Sequence, residues 1–117
     1  MSLIVCSPST QHFLKGEKFI VNGPPTVDIL KQKGKYTNVI AIGGGAVIDT
    51  AKILSKTRIT CYPTTASGAS ATSHSVYWDG NNKKNCERFI PDHIIFEPNF
   101  IKSLPKHILQ YTKYDAI

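Results

Sequence analysis

The sequence has no long hydrophobic run and no segment typical of a secretory leader. None of its apolar stretches approaches the roughly 20 residues that a membrane-spanning helix needs. Residues 1–6 also lack the basic start and extended apolar core of a signal peptide. We therefore expect a soluble, cytoplasmic protein that makes no contact with a membrane.

Cysteine is scarce. The three cysteines, Cys6, Cys61 and Cys86, are odd in number and show no C-x-x-C spacing. This pattern argues against a disulfide framework and against a cysteine zinc site. Cys61 falls in a predicted core strand, where a free thiol behaves as a small hydrophobic group.

Acidic residues are outnumbered by basic ones. The chain has 14 Lys and Arg against 8 Asp and Glu, a net charge of +6. The lysines are scattered, however, and aromatic residues do not alternate with them as they do in a nucleic-acid stacking platform. We expect no nucleic-acid partner, and a basic surface that would also suit a phosphorylated cofactor. With 117 residues, 41% of them hydrophobic, the chain is long enough for one domain with one core.

The most informative feature that is present is a glycine triplet. Gly43, Gly44 and Gly45 follow the apolar run 39–42 and precede a helix-forming stretch. Glycine allows a sharp turn and a close backbone approach to an anion, and the first amides of the helix point at that anion. The pattern predicts a phosphate cradle, although a glycine-rich turn without a ligand has the same appearance.

Two charged residues follow the glycines on the predicted helix. Asp49 and Lys52 are three residues apart and share one helix face. We expect Asp49 to lie in the first turn, close enough to the anion site to meet a ligand hydroxyl, and Lys52 to be solvated. The apolar residues of this helix should pack on a sheet, namely Val47, Ile48, Ala51 and Leu54.

The pattern along the chain alternates strands with helices. Strands are predicted at 2–7, 18–21, 39–42, 58–62 and 94–96, with the last as a core strand, and helices at 26–33, 46–56 and 105–111, the last of them capped by Ser103. Residues 75–78 and 86–90 flank a D-G turn and predict an antiparallel hairpin. We therefore expect an α/β fold: a doubly wound, Rossmann-like parallel sheet that binds ligands beyond the carboxyl ends of its strands.

Four motifs resemble those of one enzyme superfamily. Residues 43–52, G-G-G-A-V-I-D-T-A-K, resemble the G-G-G-S-x-x-D-x-A-K signature of the iron-dependent alcohol dehydrogenase and glycerol dehydrogenase superfamily, which includes the dehydroquinate synthases. Residues 63–70 resemble its P-T-T-x-G-T-G-S loop, 89–98 its L-P-D-x-x-I-x-D-P segment, and 104–117 its L-P…G-x-D-A-L segment. Their order makes a chance likeness improbable.

The resemblance implies a nicotinamide cofactor, NAD or NADP. Gly43, Gly44 and Gly45 would hold its pyrophosphate, with Asp49 near the nicotinamide end. The other cofactor-binding residues that the resemblance implies line the groove or close the loop over the nicotinamide: Thr64, Thr65, Ser67 and Ser70. His74 remains open between a place over the substrate and an ordinary surface histidine.

The resemblance also implies a metal. Asp115 would be the first ligand of a catalytic iron or zinc ion, and histidines of a later helical domain would complete the site. A catalytic zinc has three protein ligands, so residues 1–117 are expected to be inactive alone. They are predicted to be a single NAD(P)-binding α/β domain, truncated at both ends relative to the family, with the helical metal domain absent. The full-length form would be a homo-oligomer acting on a small alcohol, polyol or aldehyde.

Some positions depart from the family pattern. Ala46 replaces the serine after the glycines, Ala69 stands in the rewritten 67–70 loop, Ala71 occupies an acidic position, and Lys113 replaces a glycine. Two alternatives therefore stay beside the dehydrogenase interpretation. One is a domain of a dehydroquinate-synthase-like cyclase, and the other is a non-catalytic dinucleotide-binding or interaction module.

Overall fold

The protein is a parallel sheet with a separate hairpin, seen in a computed structural model that describes residues 2–65 and 72–102. The chain forms β1 (Ser2–Cys6), β2 (Lys18–Ile20), a 3-10 helix (Val27–Gln32), β3 (Asn38–Gly43), α1 (Gly45–Leu54), β4 (Ile59–Pro63), β5 (His74–Asp79), β6 (Asn82–Glu87), β7 (His93–Ile94) and α2 (Pro98–Lys102). The predicted helix at 105–111 and its cap Ser103 lie outside the described residues.

The main sheet has five parallel strands in the order β2-β1-β3-β4-β7. The chain passes from β1 to β2 on one side and then returns to add β3 on the other. The point between β1 and β3, where the strand order reverses, is the place at which such sheets bind ligands. The predicted α/β fold, with a mostly parallel sheet and an antiparallel hairpin, is confirmed.

Alternating side chains place two apolar clusters on the two faces of the sheet. On the face that carries α1, β1 contributes Leu3 and Val5, β3 contributes Val39 and Ala41, and β4 contributes Ile59 and Cys61, against the helix residues Val47, Ile48, Ala51, Ile53 and Leu54. The opposite face has Ile4, Cys6 and Ile42, with Phe13, Tyr62 and Phe100 packed on them. Burial on both faces explains why β3 has an unbroken apolar sequence.

The hairpin of β5 and β6 is more tightly closed than the sequence predicts. Asp79 pairs with Asn82, which leaves a two-residue turn of Gly80 and Asn81. Gly80 has a φ of 61°, a value that glycine adopts at little cost. The second strand therefore begins at Asn82 rather than at Cys86.

Of two further predicted elements, one differs from its prediction. The helix predicted at 26–33 is present as a 3-10 helix, and Ile29 is its one buried residue. The predicted core strand at 94–96 is the two-residue edge strand β7, and Ile94, Ile95 and Phe96 are all exposed. An apolar run is typical of an interior strand, but this one pairs with β4 alone in the described part of the chain.

Candidate functional site

The glycine turn connects the carboxyl end of β3 to the start of α1. Gly43 has a φ of 154°, and a Cβ on it would lie 2.7 Å from Cγ2 of Val47 in the following helix. A glycine is therefore required for the chain to leave the sheet and begin the helix at once. The first intrahelical hydrogen bond runs from the amide of Ile48 to the carbonyl of Gly44, at 3.1 Å.

The start of α1 has the properties of an anion site. The amides before Ile48 have no acceptor within the helix, and no side chain caps this end among the described residues. No acidic residue lies in the first turn. The partial positive charge of the helix dipole is therefore unopposed on its own first turn.

The chain after β4 lies directly against the glycines. The amide of Thr64 donates to the carbonyl of Gly43 at 3.0 Å, and the Thr64 side chain is buried. A Cβ on Gly44 would meet the hydroxyl oxygen of Thr65 at 2.7 Å. Two of the predicted threonines and the glycine turn are thus brought together at the carboxyl ends of β3 and β4, with the half-buried Thr65 beside the backbone of Gly44.

The loop after β1 reaches the same place and was missed by sequence reasoning. The Thr10 hydroxyl is buried and donates to the carbonyl of Ile42, immediately before the glycines, at 2.8 Å. It also accepts the amide hydrogen of Ser7 at 2.9 Å. The sequence does contain a signal for this loop. Ser7, Ser9 and Thr10 follow directly after β1, a buried strand that lies next to β3 in the sheet.

A pocket of about 340 Å³ opens at the carboxyl end of β2. The loop 21–26 and the 3-10 helix form most of its wall, and α1 contributes Thr50. The polar residues in its lining are Asn22, Thr26, Asp28, Gln32 and Thr50. These groups donate and accept hydrogen bonds, as the hydroxyl and ring nitrogen groups of a nucleoside require.

Asp49 does not lie where the sequence placed it. Since α1 begins at Gly45, Asp49 is in the second turn, and the prediction of a first-turn position is wrong. Its carboxylate accepts a hydrogen bond from the amide of Val76 in β5, while its carbonyl accepts the hydroxyl hydrogen of Ser75 at 3.0 Å. The side chain therefore contacts the hairpin.

Lys52 is buried, which contradicts the prediction of a solvated lysine. The residue is 0% exposed. Its ammonium donates to the carbonyls of His74 at 2.6 Å and Thr72 at 3.0 Å, and to the Thr72 hydroxyl at 3.3 Å. The cation is therefore accommodated by backbone carbonyls and a hydroxyl group.

The environment shifts the pKa of both charged residues. Burial raises the pKa of the Asp49 carboxyl, an effect that the charge of Lys52 and the Val76 amide oppose. Burial lowers the pKa of the Lys52 ammonium, an effect that the charge of Asp49 opposes. Each charge thus offsets part of the desolvation penalty of the other.

The remaining predicted site residues are divided between exposed and undescribed positions. His74 is exposed at the start of β5, with Nδ1 3.5 Å from the Ser73 hydroxyl. Ser67, Ser70 and the predicted metal ligand Asp115 lie outside the described residues. Within residues 2–65 and 72–102, no three His, Cys, Asp or Glu side chains come together as metal ligands.

Comparison with known proteins gives similarity in structure only. No protein-family model and no curated protein sequence matches the chain. Among solved structures, an iron-containing alcohol dehydrogenase from Thermotoga maritima matches 98% of this chain at 19% identity, with a TM-score of 0.66. A probable glycerol dehydrogenase from Sinorhizobium meliloti 1021 matches 98% at 19% identity, with a TM-score of 0.75.

A maleylacetate reductase from Agrobacterium tumefaciens matches 92% of this chain at 17% identity, with a TM-score of 0.72. The chain shares the fold of these proteins. It covers only 45% of the alcohol dehydrogenase, 38% of the glycerol dehydrogenase and 37% of the reductase. The fold implied by the sequence motifs is thereby confirmed.

The described part of the chain also contains no helix that is long and apolar enough to cross a membrane.

Proposed function

We propose that this chain is the nicotinamide-dinucleotide-binding part of an alcohol or polyol dehydrogenase of the iron-dependent superfamily. Two independent lines support the proposal. Four motifs of that superfamily occur in order in the sequence, and the fold matches solved iron-containing alcohol and glycerol dehydrogenases over almost the whole chain. Nicotinamide supplies hydride transfer when it is bound, and the residues of this chain hold and orient it.

The observation that carries the proposal is the close packing of Thr65 against Gly44. A Cβ at Gly44 would lie 2.7 Å from the Thr65 hydroxyl oxygen, so this hydroxyl sits beside bare backbone at the start of α1. The amides of the first helical turn and the Thr65 hydroxyl are then donors around one small volume. Phosphate oxygens are acceptors that such a group of donors binds well. The residues present therefore fit a pyrophosphate.

The pocket at the carboxyl end of β2 is a candidate binding site for the adenosine half of the cofactor. Both the pocket and the glycine turn lie at the carboxyl edge of the sheet, on either side of the reversal between β1 and β3. We propose that the adenosine half occupies this pocket, where Asn22 and Asp28 face the ribose and the base. The pyrophosphate then binds at Gly44 and Gly45, and the nicotinamide half continues toward β4.

The described residues do not fit a catalytic metal ion. No group of three candidate ligands exists among them, and Asp115 lies outside them. We therefore assign no metal-dependent step to this chain. Alcohol oxidation, with a small alcohol, polyol or aldehyde as substrate, belongs to the proposed longer enzyme, in which further ligands would complete a site with Asp115.

Tryptophan fluorescence tests the binding proposal directly, because Trp78 is the only tryptophan. Titration with NADH and with NADPH should quench its emission and sensitise the nicotinamide emission in a saturable way. ADP-ribose should compete, because it carries the same pyrophosphate. Absence of saturation at millimolar concentrations of both cofactors would overturn the proposal.

A pair of glycine variants locates the binding. Gly44→Val places methyl groups where the Thr65 hydroxyl lies and should abolish saturable quenching. Gly80→Asn changes the hairpin turn, where a Cβ would meet nothing within 4 Å, and Asn tolerates the positive φ there. This control should bind NADH as the unmodified protein does. Equal loss in both variants would assign the effect to folding rather than to the glycine turn.

A further inference from the structure

Lys52 connects the glycine helix to the chain on the C-terminal side of the connection formed by residues 66–71. Its ammonium donates to two carbonyls and one hydroxyl of a short stretch, Thr72 to His74. The other end of the same connection is held by the amide of Thr64, which donates to Gly43. Both ends of the connection are therefore fixed on one continuous segment, which runs from the glycine turn to Lys52.

We propose that Lys52 is a positioning residue for the dinucleotide site, because its buried ammonium fixes the Thr72–His74 stretch relative to the glycine turn. The inference rests on the proposed function and deepens it. Lys52 does not need to touch the cofactor. Lys52 binds the backbone carbonyls of Thr72 and His74, and the position of these residues relative to the glycine turn then affects the affinity for the dinucleotide.

The cost of burying a lysine supports this role. An ammonium at 0% exposure is unfavourable unless its donors are satisfied, and an apolar side chain of similar length would avoid the penalty. The neighbouring side chain on the same helix face, Asp49, is also committed to the hairpin through the Val76 amide. This face of α1 makes a polar attachment to the hairpin, beside the apolar contacts of Tyr77, Cys86 and Phe89 with the main cluster.

Arg88, at the same open end of the hairpin, provides a comparison. Arg88 donates through Nε to the carbonyl of Lys52 at 2.8 Å, and through Nη2 to the carbonyl of Ser55. It is likewise a cation that binds backbone carbonyls and attaches the hairpin to α1. It does so at the end of β6, where Glu87 pairs with His74 and the Arg88 amide donates to the carbonyl of Ser73 at 2.6 Å. Replacing the Arg88 side chain weakens the hairpin attachment but leaves the hydrogen bonds of the Lys52 ammonium to Thr72 and His74 in place.

The test compares Lys52→Met with Arg88→Met. Loss of charge-assisted hydrogen bonds predicts about a tenfold weaker affinity for NADH in Lys52→Met. Arg88→Met should keep the affinity of the unmodified protein, although both variants lower the midpoint of urea unfolding. Amide hydrogen exchange at residues 72–76 should accelerate more in Lys52→Met than in Arg88→Met, because Arg88→Met keeps the Lys52 hydrogen bonds to Thr72 and His74. Unchanged NADH affinity in a folded Lys52→Met, or equal loss of affinity in both variants, would overturn the inference.

Lys52→Arg keeps the test decisive if Lys52→Met does not fold. This variant retains a cation and donors, and we expect it to fold and to bind NADH more tightly than Lys52→Gln, which has a single amide group. Equal affinity of the two would contradict a positioning role for the cation. If the unmodified protein itself binds no dinucleotide, the proposed function fails and the inference fails with it. If it binds and the variants bind equally well, only the inference fails.

Discussion

The two faces of α1 are built from different chemistry. The face on the sheet is apolar and fully buried, with Ile48, Ala51 and Leu54 each at 0% exposure. The face toward the hairpin carries polar groups that are also largely buried, with Lys52 at 0% exposure and Asp49 bound to the Val76 amide, beside apolar contacts of Tyr77 and Cys86 with the main cluster. The first face obtains its stability from burial of apolar surface, and the second depends on hydrogen bonds whose net contribution is small. We therefore expect the sheet face to determine the stability of the fold, and the hairpin face to determine the placement of the chain near the glycine turn.

Truncation on the sheet face should have the largest effect on stability. Ile48→Ala removes a buried side chain from the centre of the main cluster and should lower the free energy of unfolding by about 2–5 kcal/mol. Urea denaturation followed by circular dichroism measures this change. A loss below about 1 kcal/mol would show that the interface between α1 and the sheet is not the main core, because even Ile→Val substitutions usually cost that much.

A Cβ at the glycine turn should have the next largest effect. Gly43→Ala introduces a side chain at a φ of 154° and a contact of 2.7 Å with Val47, and we expect a loss of about 1–3 kcal/mol from strain. Gly23→Ala is the matched control, because a Cβ there meets nothing within 4 Å. Thermal unfolding of the two variants gives the comparison. Equal stability of the two proteins would contradict the close packing of Val47 against Gly43.

The pH dependence of stability above pH 9 tests whether Cys61 of β4 is buried in the main cluster under α1. Burial raises the pKa of its thiol from 9.0 to about 12, and the charge of Lys52 opposes this increase. Between these values the unfolded chain releases the proton and the folded chain keeps it. Stability that is fully present below pH 9.0 should therefore decrease as the pH rises, by about 1.4 kcal/mol per pH unit at most.

The Cys61 effect is measured as a difference between two proteins. Lys52, whose pKa is lowered by burial, contributes a change of opposite sign as the pH rises toward 10.5. Because the charges of Cys61 and Lys52 act on each other, the difference reports the thiol together with its coupling to Lys52. The free energy of unfolding of the unmodified protein minus that of Cys61→Ala should consequently decrease above pH 9. A constant difference across this range would show that the thiol is not buried.

The smallest effect is expected on the hairpin face. Ser75→Ala removes the hydroxyl that donates to the Asp49 carbonyl at 3.0 Å and should cost about 1 kcal/mol. Faster amide exchange should be confined to β5 and β6, while β3 and β4 keep their protection. Acceleration throughout the sheet would mean that the hairpin belongs to the same cooperative unit as the core, and it would remove the distinction between the two faces.

The sequence alone predicts the sheet face of α1 well, for a physical reason. Apolar residues at helical spacing and an unbroken apolar strand are both consequences of burial, and burial is what the pattern of side chains records. Ile48 and Cys61 were therefore placed correctly in the core. The glycine turn is also predicted from the sequence, because three glycines between an apolar strand and a helix favour a tight turn at that point.

The hairpin face could not be predicted in the same way. A lysine on a helix is normally solvated, and only the arrival of a segment distant in the chain, at Thr72 and His74, makes Lys52 a buried residue. The exposure of Ile94 and Phe96 has a related cause, since an apolar run does not indicate whether further strands lie beside it. The loop after β1 was overlooked because the placement of Thr10 against Ile42 depends on the strand order.

The central claim is that a nicotinamide dinucleotide binds at the glycine turn between β3 and α1, and the most direct measurement is an NMR titration of the backbone amides with NADH. The account predicts that the amide resonances of Gly44, Gly45 and Ala46 move most and saturate together with the fluorescence signal, because these groups would donate to the pyrophosphate. Amides of the hairpin turn at Gly80 and Asn81 should remain in place. Saturable binding that leaves the amides of Gly44 to Ala46 unchanged would contradict the claim.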